Sequence, residues 1–151
     1  MPQGLALPAT AALAVRGAPR ALRMNVLIAD DNPVVRGLVK RLVESDPEMR
    51  VVAEAGDGED AARLARVLRP DVVLMDLAMP RLDGLQATRR IKTENPEVKV
   101  VILTVHVDEA YHRAATASGA DMFLPKKTLR ARLVPAIRAL AAETRRGGPG
   151  R

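Results

Sequence analysis

Several short apolar segments of the sequence lead directly into residues whose side chains could do chemistry. "LIADD" ends in Asp30 and Asp31, "VVLMD" ends in Asp76, "VILT" ends in Thr104, and "MFLP" is followed by Lys126. Carboxylates that are brought together repel one another unless a proton or a cation neutralises them, and a hard oxygen site suits Mg²⁺. With a lysine and a hydroxyl across the cleft, such a site could position a phosphoryl group for attack by Asp76.

The elements that must position these side chains are predicted by the spacing of apolar residues. Five runs rich in Val, Ile and Leu have the length of strands, and they lack the polar alternation of half-exposed strands. They are "VLIA" from Val26, "VVA" from Val51, "VVLM" from Val72, "VVIL" from Val100 and "MFLP" from Met122.

Amphipathic stretches follow these runs and predict five helices. The first has Asn32 as N-cap and Pro33 as its first residue. The second covers about 57–69 and is expected to turn Leu64, Ala65 and Leu68 inward. The third carries Leu85, Thr88 and Ile91, the fourth ends at Gly119, and the last follows Thr128 as its cap and buries Leu129, Leu133, Ile137 and Leu140. Alternating strands and helices predict a doubly wound α/β domain.

The predicted strand order decides whether the chemistry-bearing residues meet. In open α/β sheets, ligands bind beyond the carboxyl ends of the strands at the topological switch point. If the strand order is 2-1-3-4-5, the first and third strands are neighbours, and Asp30, Asp31 and Asp76 lie together. Thr104 and Lys126 then stand across the cleft.

Each of these residues also has a plainer interpretation. The acidic pair could be a solvated turn or a helix cap, and Lys126 could be a surface charge. Asp76 could belong to a nucleotide-hydrolysing enzyme, but that class needs a phosphate-binding loop. The sequence contains no G-x-x-x-x-G-K-[ST] motif, and "GDGED" from Gly56 offers acids where such a loop needs amides and a lysine.

Four separated motifs resemble the receiver domain of bacterial two-component response regulators. They are "LIADDNPVVR", "LMDLAMPRLDGLQATRRI", "VVILTVH" and "GADMFLPKK". The resemblance covers roughly residues 24–142 and implies the flavodoxin-like receiver fold, a five-stranded parallel sheet in the order 2-1-3-4-5. Met79, Pro80 and Gly84, followed by "LQATRRI", are most similar to the NarL-like subfamily.

The resemblance implies an aspartyl phosphate site with bound Mg²⁺. Asp76 would be the phosphoacceptor. Asp31, Asp76 and the backbone carbonyl of Ala78 would bind the metal, with Asp30 as the supporting acid. The phosphoryl donor would be a sensor histidine kinase or a phosphotransfer protein in the cytoplasm.

The resemblance also implies a conformational switch. Thr104 would supply the switch hydroxyl, Phe123 the switch aromatic ring, and Lys126 the phosphate-binding ammonium group. Phosphorylation would alter the surface of the fourth helix, fifth strand and fifth helix, which includes Tyr111 and would contact a downstream protein or a second copy of the chain. Val105 departs from the small residue typical of the family after the switch Thr, and its bulk would narrow access to the phosphoryl group.

The composition excludes several classes of site and partner. The chain has 151 residues, no cysteine, 48% hydrophobic and 28% charged residues, and no apolar run long enough for a membrane span. Thiol catalysis and thiolate metal sites are therefore excluded. The net charge of +6 comes from six arginines in residues 1–24 and 144–151, which contain no acid. The neutral remainder argues against direct DNA binding by the body, although the basic tails leave such binding as an alternative.

The predicted organisation is an unstructured extension over 1–23, a receiver domain over 24–142 and a flexible basic tail over 143–151. The tail is too short for the helix-turn-helix output domain of NarL-like regulators. We therefore expect a stand-alone receiver that acts through protein contacts, without enzymatic activity beyond its own phosphorylation and dephosphorylation. The alternatives are the receiver fragment of a longer DNA-binding transcription regulator, a receiver-like scaffold that signals without phosphate, and an independent phosphoryl-transfer enzyme.

Overall fold

A computed structural model of the protein describes residues 23–147, with side chains through residue 143. Five parallel strands form one sheet in the order β2-β1-β3-β4-β5, as the sequence predicts. Five helices alternate with the strands, and a 3-10 turn, Lys126–Thr128, precedes the last helix. The elements are β1 (Met24–Ala29), α1 (Pro33–Glu44), β2 (Met49–Ala55), α2 (Gly58–Leu68), β3 (Val72–Asp76), α3 (Gly84–Glu94), β4 (Lys99–Thr104), α4 (Glu109–Ala117), β5 (Met122–Pro125) and α5 (Leu129–Gly147).

The helices cover both faces of the sheet. On one face, α2, α3 and α4 pack small and branched residues, including Ala65, Ile91 and Ala115, against the strands. On the other, α1 and α5 contribute Val39, Val43 and the four predicted residues Leu129, Leu133, Ile137 and Leu140. Because helices cover both faces, the central strands are uniformly apolar, and all five residues of β3 are buried.

Local signals in the sequence predict most helix ends correctly. The Asn32 side chain accepts hydrogen bonds from the N–H groups of Val34 and Val35, and Pro33 opens α1. The helix α4 ends at Ala117, followed by Ser118 and by Gly119 at φ +98. Among the described residues, aspartates cap the other crossover helices: Asp57 for α2, Asp83 for α3 and Asp108 for α4.

Two predictions about the helices are wrong. The apolar spacing predicts that Leu68 faces inward, but it is 41% exposed because α2 ends there in a left-handed cap at Arg69. Thr128 does not cap α5, since its hydroxyl donates 2.8 Å back to the carbonyl oxygen of Pro125 within the 3-10 turn.

The predicted terminal segments are only partly within the described residues. The predicted N-terminal extension covers residues 1–23, of which only residue 23 lies within the described residues. The helix α5 continues to Gly147, so its last turn enters the predicted C-terminal tail. Within residues 23–147, no helix combines the length and apolar character that crossing a membrane requires.

Lys92 joins three elements at the end of the sheet opposite the acidic residues. Its ammonium group lies 3.0 Å from the carbonyl oxygen of Pro96, 2.8 Å from that of Val98 and 2.9 Å from Oδ2 of Asp121. Asp121 also accepts a hydrogen bond from the Val100 N–H at the start of β4. One side chain therefore connects α3, the start of β4 and the start of β5.

We expect Lys92→Met to lower the free energy of unfolding by about 2 kcal/mol, because three hydrogen bonds from a charged group are lost, including the part-buried one to the carbonyl oxygen of Val98. Urea unfolding followed by circular dichroism measures the change. The matched control is Lys40→Met, since Lys40 lies 3.6 Å from Glu54 on an exposed face and should cost under about 1 kcal/mol. Equal losses in the two variants would contradict this role for Lys92.

Candidate functional site

Three carboxylates meet at the carboxyl ends of two neighbouring strands. Asp30 directly follows β1, Asp31 comes next, and Asp76 ends β3. The parallel register places Ala29 opposite Met75, so the two strands end at nearly the same level. One oxygen from each carboxylate lies within 4.8 Å of the others. Asp30 and Asp76 are buried, whereas Asp31 is exposed at the mouth of the site.

Lys126 reaches this cluster from the edge strand β5, on the far side of β4. Its ammonium nitrogen lies 2.8 Å from Oδ2 of Asp30 and 2.9 Å from Oδ1 of Asp76. The strand order makes this contact possible, because the 3-10 turn after β5 brings the lysine back across β4. The structure therefore places Lys126 with the acidic residues, as the sequence predicts.

Burial and charge oppose each other in this cluster. Burial raises the pKa of the Asp76 carboxyl above its usual range; the Lys126 hydrogen bond acts against this, and the charge of Asp30 adds to it. For Lys126, burial lowers the pKa, but hydrogen bonds to Asp30 and Asp76 outweigh it and raise the pKa above its ordinary value. Three carboxylates facing one lysine leave an excess of negative charge.

The backbone around Asp30 is held by groups that the sequence analysis did not single out. The Arg36 guanidinium donates 2.7 Å to the carbonyl oxygen of Asp30 and 3.1 Å to Oε1 of Glu54. The Asn32 N–H donates 2.9 Å to Oδ1 of Asp30. Arg36 lies in the first turn of α1, five residues after Asp31, and this position was the only signal that could have revealed it.

Thr104 is buried at the end of β4, and its hydroxyl oxygen accepts a hydrogen bond of 2.9 Å from the His106 N–H. The His106 ring stacks on Tyr111, with ring centroids 4.4 Å apart. The half-buried Phe123 lies edge-on to His112, at 5.0 Å. The register pairs Thr104 with Pro125 and Phe123 with Ile102. Thr104 therefore lies level with the residue before Lys126, while Phe123 lies deeper along β5.

The residues present fit a Mg²⁺ ion. All the side-chain donors in the cluster are carboxylate oxygens, the donor type that Mg²⁺ prefers. Ala78, whose carbonyl is the predicted backbone ligand, lies exposed two residues after Asp76. A divalent cation would also offset the excess negative charge that Lys126 alone does not balance.

Comparison with known proteins identifies the family of this chain. The family model described as "Response regulator receiver domain" matches residues 26–138. The chain belongs to this family. The receiver assignment and its flavodoxin-like fold, both predicted from the sequence, are therefore confirmed.

The relatives of this receiver include NarL- and LuxR-type response regulators. Transcriptional regulatory protein DegU of Brevibacillus brevis is 38% identical over 119 residues, which cover 79% of this chain and 50% of that protein. A crystal structure of a LuxR-family two-component response regulator from Aurantimonas sp. SI85-9A1 is 38% identical, with a TM-score of 0.77, and covers 80% of this chain and 86% of that one. The signal receiver domain of a response regulator named NarL from Mycobacterium tuberculosis is 32% identical, with a TM-score of 0.76, and covers 80% and 97%. This chain spans about half the length of the curated relatives that it matches.

Proposed function

We propose that this receiver accepts a phosphoryl group on Asp76 from a sensor histidine kinase or a phosphotransfer protein, and that phosphorylation changes its protein-contact surface. The observation that carries the proposal is the position of the Asp76 carboxylate. It ends a fully buried strand, lies beside two further carboxylates and contacts Lys126 at 2.9 Å. A rigid strand and a prearranged cation are what an in-line phosphoryl transfer requires of its acceptor.

In the proposed transfer, one carboxylate oxygen of Asp76 attacks the phosphorus atom. The bond from phosphorus to the donor's leaving group breaks as the new bond to oxygen forms, which leaves an acyl phosphate on Asp76. Asp31, Asp76 and the carbonyl of Ala78 would hold Mg²⁺, with Asp30 in support. When bound, the metal supplies positive charge to the phosphoryl oxygens. Lys126 would shift from the Asp76 carboxylate to an oxygen of the phosphoryl group.

The proposed switch follows from the hydrogen bond that Thr104 makes. In this switch the Thr104 side chain rotates toward Asp76 so that its hydroxyl donates to the phosphoryl group, and the rotation carries its oxygen away from the His106 N–H. His106 is stacked on Tyr111 at the start of α4, so freeing this loop alters the surface that carries both rings. Phe123 would then move inward and leave its edge contact with His112. The result is a population shift of the α4, β5 and α5 surface.

We expect Thr104→Val to separate phosphorylation from switching. Valine keeps the shape of the buried side chain but removes the hydroxyl, so phosphoryl uptake should stay within about tenfold of wild type, while the Phe123 response should be lost. Fluorine NMR of a fluorophenylalanine-labelled protein is a direct readout, because position 123 is the only phenylalanine in the chain. A wild-type-like shift of that resonance on phosphorylation of the variant would contradict this role for Thr104.

The partner of the switched surface would be a downstream protein or a second copy of the chain, in the cytoplasm. Because the curated relatives are about twice as long as the matched region, a second candidate is a receiver that controls an output domain of a longer transcription regulator. A receiver-like scaffold that works without phosphate is the third. All three use the same surface, but only the first two require Asp76 to be phosphorylated.

The test is to incubate the purified protein with a small acyl-phosphate donor and Mg²⁺ and to measure its intact mass. We expect one added phosphoryl group, and none when Mg²⁺ is chelated. Borohydride reduction of the product followed by peptide mapping should convert Asp76 to homoserine, which locates the acyl phosphate. A folded protein that gains no phosphoryl group, or gains it at another residue, would contradict the proposal.

A further inference from the structure

The loops after β2 and β3 are joined by an ion pair beside the acidic cluster. Both Nη2 and Nε of Arg81 lie close to Oδ2 of Asp57, at 2.7 and 3.2 Å. Asp57 follows β2 and Arg81 follows β3, and β1 lies between these strands in the sheet. The pair therefore bridges the end of β1, where the acidic pair lies.

The backbone at Arg81 is in an uncommon conformation. Its φ is +68, and within residues 23–147 only one other non-glycine residue, Arg69, has a positive φ. The Leu82 N–H donates 2.7 Å to the carbonyl oxygen of Pro80, which closes a three-residue turn centred on Arg81. Such turns are strained for residues other than glycine, so surrounding contacts must hold this one in place.

The two loops also touch through their backbones. A Cβ atom at Gly58 would lie 1.7 Å from the carbonyl oxygen of Leu82, so only glycine permits this approach. Gly58 follows Asp57, and Leu82 follows Arg81. The side-chain pair and the backbone contact are therefore adjacent and fix the same part of the β3–α3 loop.

The Asp57 side chain is held in position by burial and by a hydrogen bond from the first turn of α2. Its side chain is 12% exposed, and its Oδ1 accepts a hydrogen bond of 2.8 Å from the Asp60 N–H as the cap of α2. The Asp60 N–H and then the Arg81 guanidinium hold the pKa of the Asp57 carboxyl below its usual value. The carboxylate thus stays charged at neutral pH.

We propose that Asp57 and Arg81 form a latch that holds residues 77–82 over the acidic cluster and so sets the position of the Ala78 carbonyl. Arg81 is a positioning residue in this arrangement, since it acts through the loop. This inference rests on the proposed function for the metal-binding role of Ala78. The latch itself is a separate property of the loop and is measurable without phosphorylation.

The neighbouring charges do not share this role. The cleft outside the latch has a volume of about 380 Å³ and is lined also by Glu59, Asp60, Arg63 and Arg90. Arg63 pairs with Asp60 within α2, and Arg90 lies 3.5 Å from Glu59. Arg90 carries the same charge as Arg81 and faces the same cleft, but it belongs to α3 and not to the loop. It is therefore the matched control.

Two single variants remove the Asp57–Arg81 ion pair, one by changing each partner. Arg81→Gly removes the guanidinium while favouring the positive φ. Asp57→Asn removes the charge while keeping a side chain that caps helices well. Both are compared with the double variant and with Arg90→Gln. The readouts are amide hydrogen exchange by NMR at Leu82 and Gly84, whose N–H groups bond to Pro80 and Leu77, and calorimetric titration with Mg²⁺.

We expect exchange at both amides to be about threefold to fivefold faster in each single variant, because the loop opens more often; the effect is limited since the Arg81 side chain is 72% exposed. Mg²⁺ binding should weaken by a similar factor, about threefold to fivefold, because the latch acts on the metal ligand only through the loop. The double variant should match the singles, because each removes the same contact, and Arg90→Gln should match wild type.

Unchanged exchange in both single variants would overturn the latch, as would slower exchange in Arg81→Gly, since the turn would then depend on backbone preference alone. Equal effects in Arg90→Gln would also overturn it, by showing a general effect of charge. A wild-type protein that binds no Mg²⁺ would contradict the proposed function and the role given to Ala78, while the exchange rates would still decide whether the latch exists.

Discussion

Asp76→Asn is expected to abolish phosphoryl uptake and, at the same time, to make the unphosphorylated protein more stable at neutral pH without Mg²⁺. The amide cannot form an acyl phosphate by the proposed attack, so the intact mass should not change with the donor. The stability gain has a separate cause. The pKa of Asp76 is raised in the folded protein, chiefly by burial, so its charge favours the unfolded state.

The effect of the Asp76 charge on the free energy of unfolding should depend on pH. A carboxyl group whose folded pKa is raised lowers stability once both states are ionised, and the loss disappears as the pH falls below its ordinary value. The stability difference between wild type and Asp76→Asn should therefore be present at pH 7, shrink as the pH falls through the raised pKa of the folded protein, and be absent below about pH 4. Thermal unfolding across this range measures it.

Mg²⁺ should make the wild-type protein more stable than Asp76→Asn. A ligand that binds only the folded state adds about 2.7 kcal/mol at a hundredfold excess over its dissociation constant, and we expect this gain in wild type and not in Asp76→Asn. Asp71→Asn is the matched control, because Asp71 is exposed before β3, at the other end of the strand. A control that also loses phosphoryl uptake, or an Asp76→Asn protein stabilised by Mg²⁺ as strongly as wild type, would contradict the assignment.

Gly84→Ala is expected to lower the free energy of unfolding by about 3 kcal/mol, because the added methyl group has no space. A Cβ atom at Gly84 would lie 2.0 Å from the carbonyl oxygen of Asp76 and 3.0 Å from Cα of Leu77. The backbone at the phosphoacceptor would have to move to relieve this overlap. Urea unfolding should show the loss, and phosphoryl uptake should fall in the fraction that remains folded.

Gly37→Ala provides the matched control for this substitution. Gly37 lies inside α1, and the nearest atom to its added Cβ would be Nη1 of the flexible Arg41 side chain, at 3.8 Å. Alanine inside a helix is favoured over glycine by roughly 0.5–1 kcal/mol. The two Gly→Ala changes should therefore have opposite signs. A Gly84→Ala protein as stable as wild type would show that the loop after β3 adjusts without cost.

The sequence by itself determined the elements and the types of residue at their ends. The apolar runs predict all five strands, since a strand buried on both faces has no polar alternation to obscure it. Asn32 and Pro33 predict the start of α1, since capping depends on neighbours within one turn. The strand order and the predicted roles of Asp76 and Lys126 come from combining these patterns with a family resemblance, and the structure places both side chains at one site.

Tertiary structure decided which atoms of distant segments are in contact. Lys126 reaches Asp30 over 96 positions, and Arg81 reaches Asp57 over 24. Neither contact has a periodic or capping signal, because both depend on how loops from different strands fold over the sheet. The need for glycine at Gly84 likewise comes from a carbonyl group that approaches it in the folded chain. Local sequence fixes conformations that neighbouring residues control, whereas close approaches between loops depend on the packing of the whole sheet.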